Sequence, residues 1–447
     1  MSDIEREQRL DEQEETPHQE PGGYAPSVAE RLAVYQKAGG VITPVITAIL
    51  AFFMGGLVVA ATGHNPFTAY KAIFNGSGLN WFFHVGSYDI GVPFSDARIW
   101  FPWNTSDSTL AKSGGLAASS LAAANLQQTL LIMTTLTLTG LAVAFAFRCG
   151  LFNIGGQGQW IVGSLMAVWV GSSWANMAKP YHVFLAVVLA ALAGAAWAAI
   201  AGFLKATVGA HEVITTIMLN WIAYWAGSYL VGRDGPLQND VDKSIPISPD
   251  VVQNAKLPVW WGNPLLQGLS IGFFIAIGML VVFWITLNRT TLGYEVRAVG
   301  FNPEAARYGG ISVARSYILA MAISGSFAGL GGAMDMLGWQ YRIGVLDIQV
   351  STIGFIGIAV ALLGRNTAVG IFLASLLFAG LYVGTRSTAL PDDFPPTLAS
   401  NLTLMIQAII LLFVGADIIV LYVWQARRRL RPFKGRSPVM PTTGEAS

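Results

Sequence analysis

Asp335 stands inside a long apolar run and is the acid that most needs a chemical reason to be there. A carboxylate in a membrane span is costly and normally faces a bundle interior or a cavity. Asp417 occupies a similar place, but it can pair with the basic stretch that follows it. Asn220 and Gln407 are uncharged polar groups in other apolar runs, where hydrogen bonding between helices is the commoner role. A denser group lies in Gly150–Trp160, GLFNIGGQGQW, which sets Asn153, Gln157 and Gln159 among four glycines. Such a stretch makes poor helix and reads either as a broken helix or as a plain turn. Irregular backbone at membrane depth is tolerated only where protein or a water-filled path covers it. Asn153, Gln157, Gln159, Asn220, Asp335 and Gln407 are therefore the candidates to line a path for a small solute. The chemistry open to them is weak, reversible hydrogen bonding.

Covalent chemistry finds little support. His211-Glu212 lacks the spacing of H-E-x-x-H, because Thr215 stands where the second histidine belongs, so no zinc site is read. No G-x-x-x-x-G-K-[ST] loop occurs, so the chain has no phosphate cradle of its own and any ATP must be bound by a partner subunit. With no catalytic triad and no metal cluster, the chain does not read as an enzyme, and no cofactor is expected in it. A net charge of +1 gives no bulk attraction for nucleic acid. The single cysteine, Cys149, excludes an internal disulfide framework.

The elements that must position these groups are membrane helices. Of 447 residues, 53% are hydrophobic and 11% charged, against about 25% charged in a soluble domain. Apolar runs of about 20 residues recur, each enough to cross about 30 Å of hydrocarbon, and alternating barrel segments are absent. The expected fold class is an all-α polytopic membrane protein. Its ten spans are expected at about 41–62, 127–147, 159–176, 183–204, 213–232, 268–288, 316–338, 350–364, 367–385 and 402–424. The eighth is short for a crossing and reads as tilted or incomplete.

An even count puts both termini on one side, and placing them in the cytoplasm gives the inner loops the denser Lys and Arg. Arg427, Arg428, Arg429, Arg431, Lys434 and Arg436 then anchor the last span inside. Residues 1–38 read as a disordered cytoplasmic tail, since their acidic, polar composition leaves nothing to bury, and they lack a signal-peptide pattern. Residues 39–426 form the transmembrane domain and 427–447 a basic cytoplasmic tail. Arg148–Ile154 and Arg342–Ile348 share the pattern R-x-G-apolar-apolar-(Asn/Asp)-Ile. They lie five spans apart, which points to an inverted repeat of spans 2–5 and 7–10. Gly325, Gly329 and Ala333 recur at four-residue spacing in span seven, with Ala328 and Gly332 beside them, as a close-packing face.

The outer loops 63–126 and 233–267 are long and carry Trp81, Trp100, Trp103, Trp260 and Trp261, which suit interface anchors or a cap over the outer mouth. The inner loops are short except 289–315. Within that loop Asn302 suits an N-cap, Pro303 the first helical position and Glu304 the positive helix end, and Gly309-Gly310 supplies a stop. Ala305, Ala306, Arg307 and Tyr308 complete about two turns. So small and sharply bounded a helix reads either as a surface for another protein or as a loop with local order.

Five segments, in order, resemble a known family: Gly150–Gln159 (GLFNIGGQGQ), His211–Ala223 (HEVITTIMLNWIA), Tyr294–Ile311 (YEVRAVGFNPEAARYGGI), Ser324–Asp335 (SGSFAGLGGAMD) and Gly357–Arg365 (GIAVALLGR). Together they resemble the permease subunits of bacterial ABC importers, in the branched-chain amino acid/ribose-type permease superfamily and nearest its nucleoside branch. The resemblance covers about residues 41–425. It implies a permease of roughly ten spans with a vitamin B12-importer-like fold, set in the lipid of the plasma (inner) membrane and moving nucleosides inward by alternating access. It also implies partners: an ABC ATPase subunit that binds ATP, a second and different permease subunit, and an extracellular lipoprotein that delivers the small-molecule substrate. The loop between spans six and seven would be the coupling element. Its candidate contacts are Glu295, Arg297, Asn302, Pro303, Glu304, Ala305, Ala306, Arg307 and Tyr308. One departure is Ile356, where an acidic residue is expected in many relatives. A simple-sugar permease of the same architecture is the alternative. An ion-coupled secondary transporter would need several midplane carboxylates, for which only Asp335 and Asp417 are at hand.

Overall fold

The computed structural model describes residues 42–83, 90–91, 98–99, 118–241, 243–262, 268–386 and 396–415. The two tails, Asp417, Trp100 and Trp103 lie outside these residues. Each of the ten expected runs falls on a helix where it is described; residues 416–424 of the tenth lie outside the described residues. They are α1 (Ile42–Ala61), α3 (Ala118–Arg148), α4 (Gly156–Ser172), α5 (Lys179–Val208), α6 (Glu212–Val231), α7 (Gly272–Arg289), α10 (Val313–Asp335), α12 (Ile353–Leu363), α13 (Ala368–Gly384) and α14 (Pro396–Gly415). Between them stand α2 (Pro66–Gly76), α8 (Thr291–Phe301), α9 (Pro303–Tyr308) and α11 (Val345–Val350). Strand is confined, among the described residues, to two short antiparallel pairs, Ile90–Gly91 with Arg98–Ile99 and Val259–Trp261 with Leu269–Ser270. The protein is a polytopic helical membrane protein. Five described segments are long and apolar enough to cross a membrane: α3, α5, α7, α10 with the turn after it, and α11 joined to α12.

Three departures from the expected spans have local causes. α3 starts at Ala118 rather than near 127, because the polar residues Asn125, Gln127 and Gln128 break the apolar run without breaking an alanine-rich helix. α2 occupies part of the first outer loop and turns back from α1 at 120°. Its start is fixed by Pro66 and by Asn65, whose side chain accepts from Phe67 N at 2.9 Å, while the Tyr70 hydroxyl donates to Phe52 O on α1. The short eighth run is a broken helix, with α11 and α12 separated at Ser351-Thr352.

α3 is the most buried of the crossing helices, and α10 packs on it. The closest pair is α5 with α10, where Gly194 meets Gly325 and Gly329 backbone to backbone; α4 joins through Gly163 on Gly329. A side chain at any of these four glycines would overlap a neighbouring main chain. The pairings exchange into one another when α3, α4, α5 and α6 are replaced by α10, α12, α13 and α14. Thus α5 on α10 corresponds to α13 on α3, and α4 on α10 to α12 on α3. Here Gly140 of α3 packs on Val360 and Ile371, and Gly357 on Thr139.

The glycine seam gives a direct test. Gly325→Val should destabilise the solubilised protein by about 1–3 kcal/mol through overpacking and lower its melting temperature. Gly278→Ala, on α7 with nothing within 4 Å of the added methyl, should leave melting unchanged or raise it.

Candidate functional site

α3 ends at Arg148, whose Nη2 donates to Asn366 O at 2.7 Å, and Gly150 turns the chain with φ 73°. Residues 151–154 are not helical, and α4 begins at Gly156. Asn153 is buried and its amide is fully engaged. Nδ2 donates to Gln159 Oε1 at 2.9 Å and to Ser324 Oγ of α10 at 2.7 Å, and Oδ1 accepts from Gln159 Nε2 and from Gly155 N, both at 2.9 Å. Asn220 of α6 accepts from Gly158 N at 2.8 Å and donates to Ile154 O at 3.0 Å. Gln157 reaches the break between α11 and α12, where Nε2 donates to Ser351 O at 3.0 Å and Oε1 accepts from Gly354 N at 2.8 Å. Four of the predicted polar residues thus form one cluster that stitches α4, α6, α10 and the α11–α12 break together. The glycines between them leave room for it: a methyl at Gly158 would lie 2.9 Å from Asn220 Oδ1.

Asp335 belongs to a second cluster. It is fully buried at the end of α10, and its carboxylate accepts from the Thr135 hydroxyl of α3, from Trp160 Nε1 of α4 at 2.8 Å and from Trp339 Nε1 at 3.0 Å. The chain after Asp335 widens into a π turn, Met336–Gln340, and then reverses at Tyr341 with φ 61°. Single π turns of this kind recur at functional sites. Gln407 is buried on α14 and enters neither cluster, and Ile356 is buried in α12. Thr135, Trp160 and Trp339 were not singled out from the sequence. The signal for Trp339 was present, since it stands four residues after Asp335 on a helical repeat.

Beside these clusters lies a cavity of 1070 Å³. Its wall includes Asn125 and Gln128 of α3, Trp160, Trp339, Ser351 at the helix break and Arg386 after α13. Gln157, through its bond to Ser351, sits directly behind that wall. Of the predicted path residues, then, none lines the cavity itself; Gln157 and Asp335 each hold a residue that does.

At the other end of α3, α8 and α9 form a compact hairpin. Asn302 caps α9, its Oδ1 accepting from Glu304 N at 3.0 Å and Ala305 N at 3.1 Å, and Pro303 opens the helix. Arg307 Nη1 lies 3.5 Å from Glu304 Oε2, and Gly310 supplies the left-handed stop with φ 81°. Ala306 is buried against the body, while Glu304, Ala305, Arg307 and Tyr308 are exposed; Glu295 and Arg297 are half-buried on α8. Phe301, which sequence reasoning passed over, is 91% exposed, and Tyr308 is 94% exposed. The root of the hairpin is backbone on backbone, with Gly300 seated on Arg148 O and Gly150.

The Asp335 cluster predicts a specific non-additivity. Asp335→Asn turns an amide N–H toward the Trp160 N–H, leaving a buried donor unpaired at a cost of about 1–3 kcal/mol. Trp160→Phe removes that donor, so the double variant should melt above the sum of the two single effects. Strict additivity in thermal melts would show that the bond is absent.

Comparison with known proteins places the chain. Residues 125–415 match the family model described as branched-chain amino acid transport system / permease component. The guanosine ABC transporter permease protein NupP of Bacillus subtilis is 35% identical over 87% of this chain and 97% of its own. The nucleoside ABC transporter permease protein NupB of Lactococcus lactis is 33% identical, over 86% and 93%. The glucose ABC transporter permease protein TsgB13 of Haloferax volcanii is 32% identical, over 83% and 86%. No solved structure matches. A family match over most of the chain, resting on the same helices that carry the buried polar clusters, makes this protein a member of the branched-chain amino acid transport system permease family.

Proposed function

We propose that this chain is one permease subunit of an ATP-driven importer and moves nucleosides into the cell by alternating access. The observation that carries the reading is the near-full-length likeness to the guanosine and nucleoside permeases, with the cavity beside a buried polar framework as its physical counterpart. ATP is bound by a partner ABC ATPase, a second, paralogous permease completes the pore, and an extracellular lipoprotein delivers the solute. In this reading residues 39–426 form a ten-span domain of the vitamin B12-importer type in the plasma membrane, with cytoplasmic tails at 1–38 and 427–447. The exchangeable helix pairings support an inverted repeat of spans 2–5 and 7–10.

The hairpin α8–α9 is the surface on which the ATPase docks. Large aromatic side chains left almost wholly exposed on a short polar hairpin suit a protein interface better than water, and Phe301 and Tyr308 are such a pair. Asn302, Pro303, Glu304, Ala305 and Arg307 build and flank the same face, Ala306 fastens it to the body, and Glu295 and Arg297 brace its base. Asn153, Gln157, Gln159, Asn220 and Asp335 frame the path, and Gln407 lies on a helix at its edge.

Two measurements test the reading. Labelled nucleosides should accumulate in cells carrying this chain with its partner subunits and not in cells lacking it; uptake of glucose instead would favour the sugar reading, for which the Haloferax relative speaks. Tyr308→Ala, Glu304→Lys and Ala305→Trp should leave membrane insertion intact and cut uptake by at least tenfold, the loss expected when an interface anchor worth about 2 kcal/mol is removed. Wild-type uptake by all three would mean that the contact lies elsewhere.

A further inference from the structure

The wall of the cavity holds more than hydrogen-bonding groups. Trp339 is half-buried there, and Trp160 stands fully buried beside it. Both indole N–H groups are tied to one carboxylate, that of Asp335, which is itself held by Thr135 from α3. Two large aromatic rings are thereby fixed in position by a group that does not line the cavity. Indole rings with a locked N–H offer a flat π-face at little entropic cost, and such faces stack on nucleobases without regard to their edge groups.

Around the rings the wall turns polar. Asn125 and Gln128 of α3 contribute amides, and Ser351 a hydroxyl with no hydrogen-bond partner among the described residues. Arg386 lies on the same wall, 4.0 Å over the Tyr382 ring. A planar apolar face beside polar groups matches a solute that is flat and aromatic at one end and hydroxylated at the other. Of the two indoles only Trp339 is exposed enough to offer its face, and a flat aromatic base can cover that face.

We infer that this cavity is a resting site for the transported nucleoside, with the base against Trp339 and the ribose toward Ser351 and the α3 amides, and that Asp335 is the positioning residue that aims the indoles. The inference rests on the nucleoside reading given above. It assigns Asp335 no contact with the solute. The cavity exceeds what a nucleoside needs, so water stays with the solute and the hold is loose, as release to the far side requires.

The test uses the complete importer, with its ATPase, second permease and binding protein, in proteoliposomes given labelled guanosine and labelled cytidine. Trp339→Ala should lower guanosine uptake about tenfold, the size of one lost base–aromatic stack, and cytidine uptake less, because a pyrimidine covers less of the ring. Trp339→Phe should recover most of the rate, and ATP hydrolysis should persist in both variants. Asp335→Asn should reproduce the shift in guanosine-to-cytidine preference. Three outcomes overturn the assignment: wild-type uptake by Trp339→Ala, an equal fall for both nucleosides with no recovery by Phe, or joint loss of uptake and hydrolysis. If the wild-type importer moves nucleosides and Trp339→Ala does too, only the site is lost; if the wild type moves none, the proposed function falls with it.

Discussion

A helix broken inside a membrane leaves N–H and C=O groups that lipid cannot satisfy. The break between α11 and α12 depends on one side chain for its repair, since Gln157 both donates to Ser351 O and accepts from Gly354 N. For that to work the first turn of α4 must be held still. Asn220 holds it from α6, through Gly158 N and Ile154 O, and the Asn153–Gln159 amide pair ties it to Ser324 of α10. Asn153 uses both N–H groups and its carbonyl on protein, and Gln157, Gln159 and Asn220 each donate and accept there at least once. The framework can therefore stand next to the cavity without opening into it.

The two halves of the helix bundle reach similar pairings by different chemistry. α5 and α10 meet through bare glycine backbones, which gain dispersion and lose no side-chain entropy. The corresponding pair, α3 and α13, meets through hydroxyls, with Thr137 Oγ1 and Ser375 Oγ 2.8 Å apart. Packing geometry is kept while residue types diverge. Similar pairing of this kind leaves only a faint trace in sequence, such as the shared pattern of Arg148–Ile154 and Arg342–Ile348.

Helix positions were legible because apolar length alone decides them, and every expected run fell on a helix as far as the described residues reach. The beginning of α3 was not, since a buried helix that presents Asn125 and Gln128 to a cavity does not look apolar. Asp335 was recognisable as an acid that must face inward, but two of its three partners come from residues 175 and 200 positions away, beyond the reach of local pattern. The amides of Asn153, Gln157 and Asn220 stood out as polar groups at depth. Whether they face a solute or other protein groups is a question of three-dimensional contact, and here Asn153 binds Gln159 and Ser324 while Gln157 and Asn220 bind main chain. The N-cap, proline and glycine around α9 were readable in full, because capping is a local matter. The exposure of Phe301 was not, since an aromatic residue in an amphipathic stretch is as often buried as bare.

The seating of Gly300 on Arg148 O and Gly150 has a mechanical meaning. Side chains at a joint act as springs: they change rotamer and swallow small displacements. Main chain on main chain has no such slack, and close-packed interiors transmit strain rather than dissipate it. α8 therefore bears on the loop that starts α4 as a strut bears on a beam. Six residues beyond Gly150 the beam begins, and in its first turn is Gln157, the clasp of the broken helix. A push at the α8–α9 hairpin has a stiff line to the wall of the cavity, one that passes through two glycines because anything larger would have made it soft.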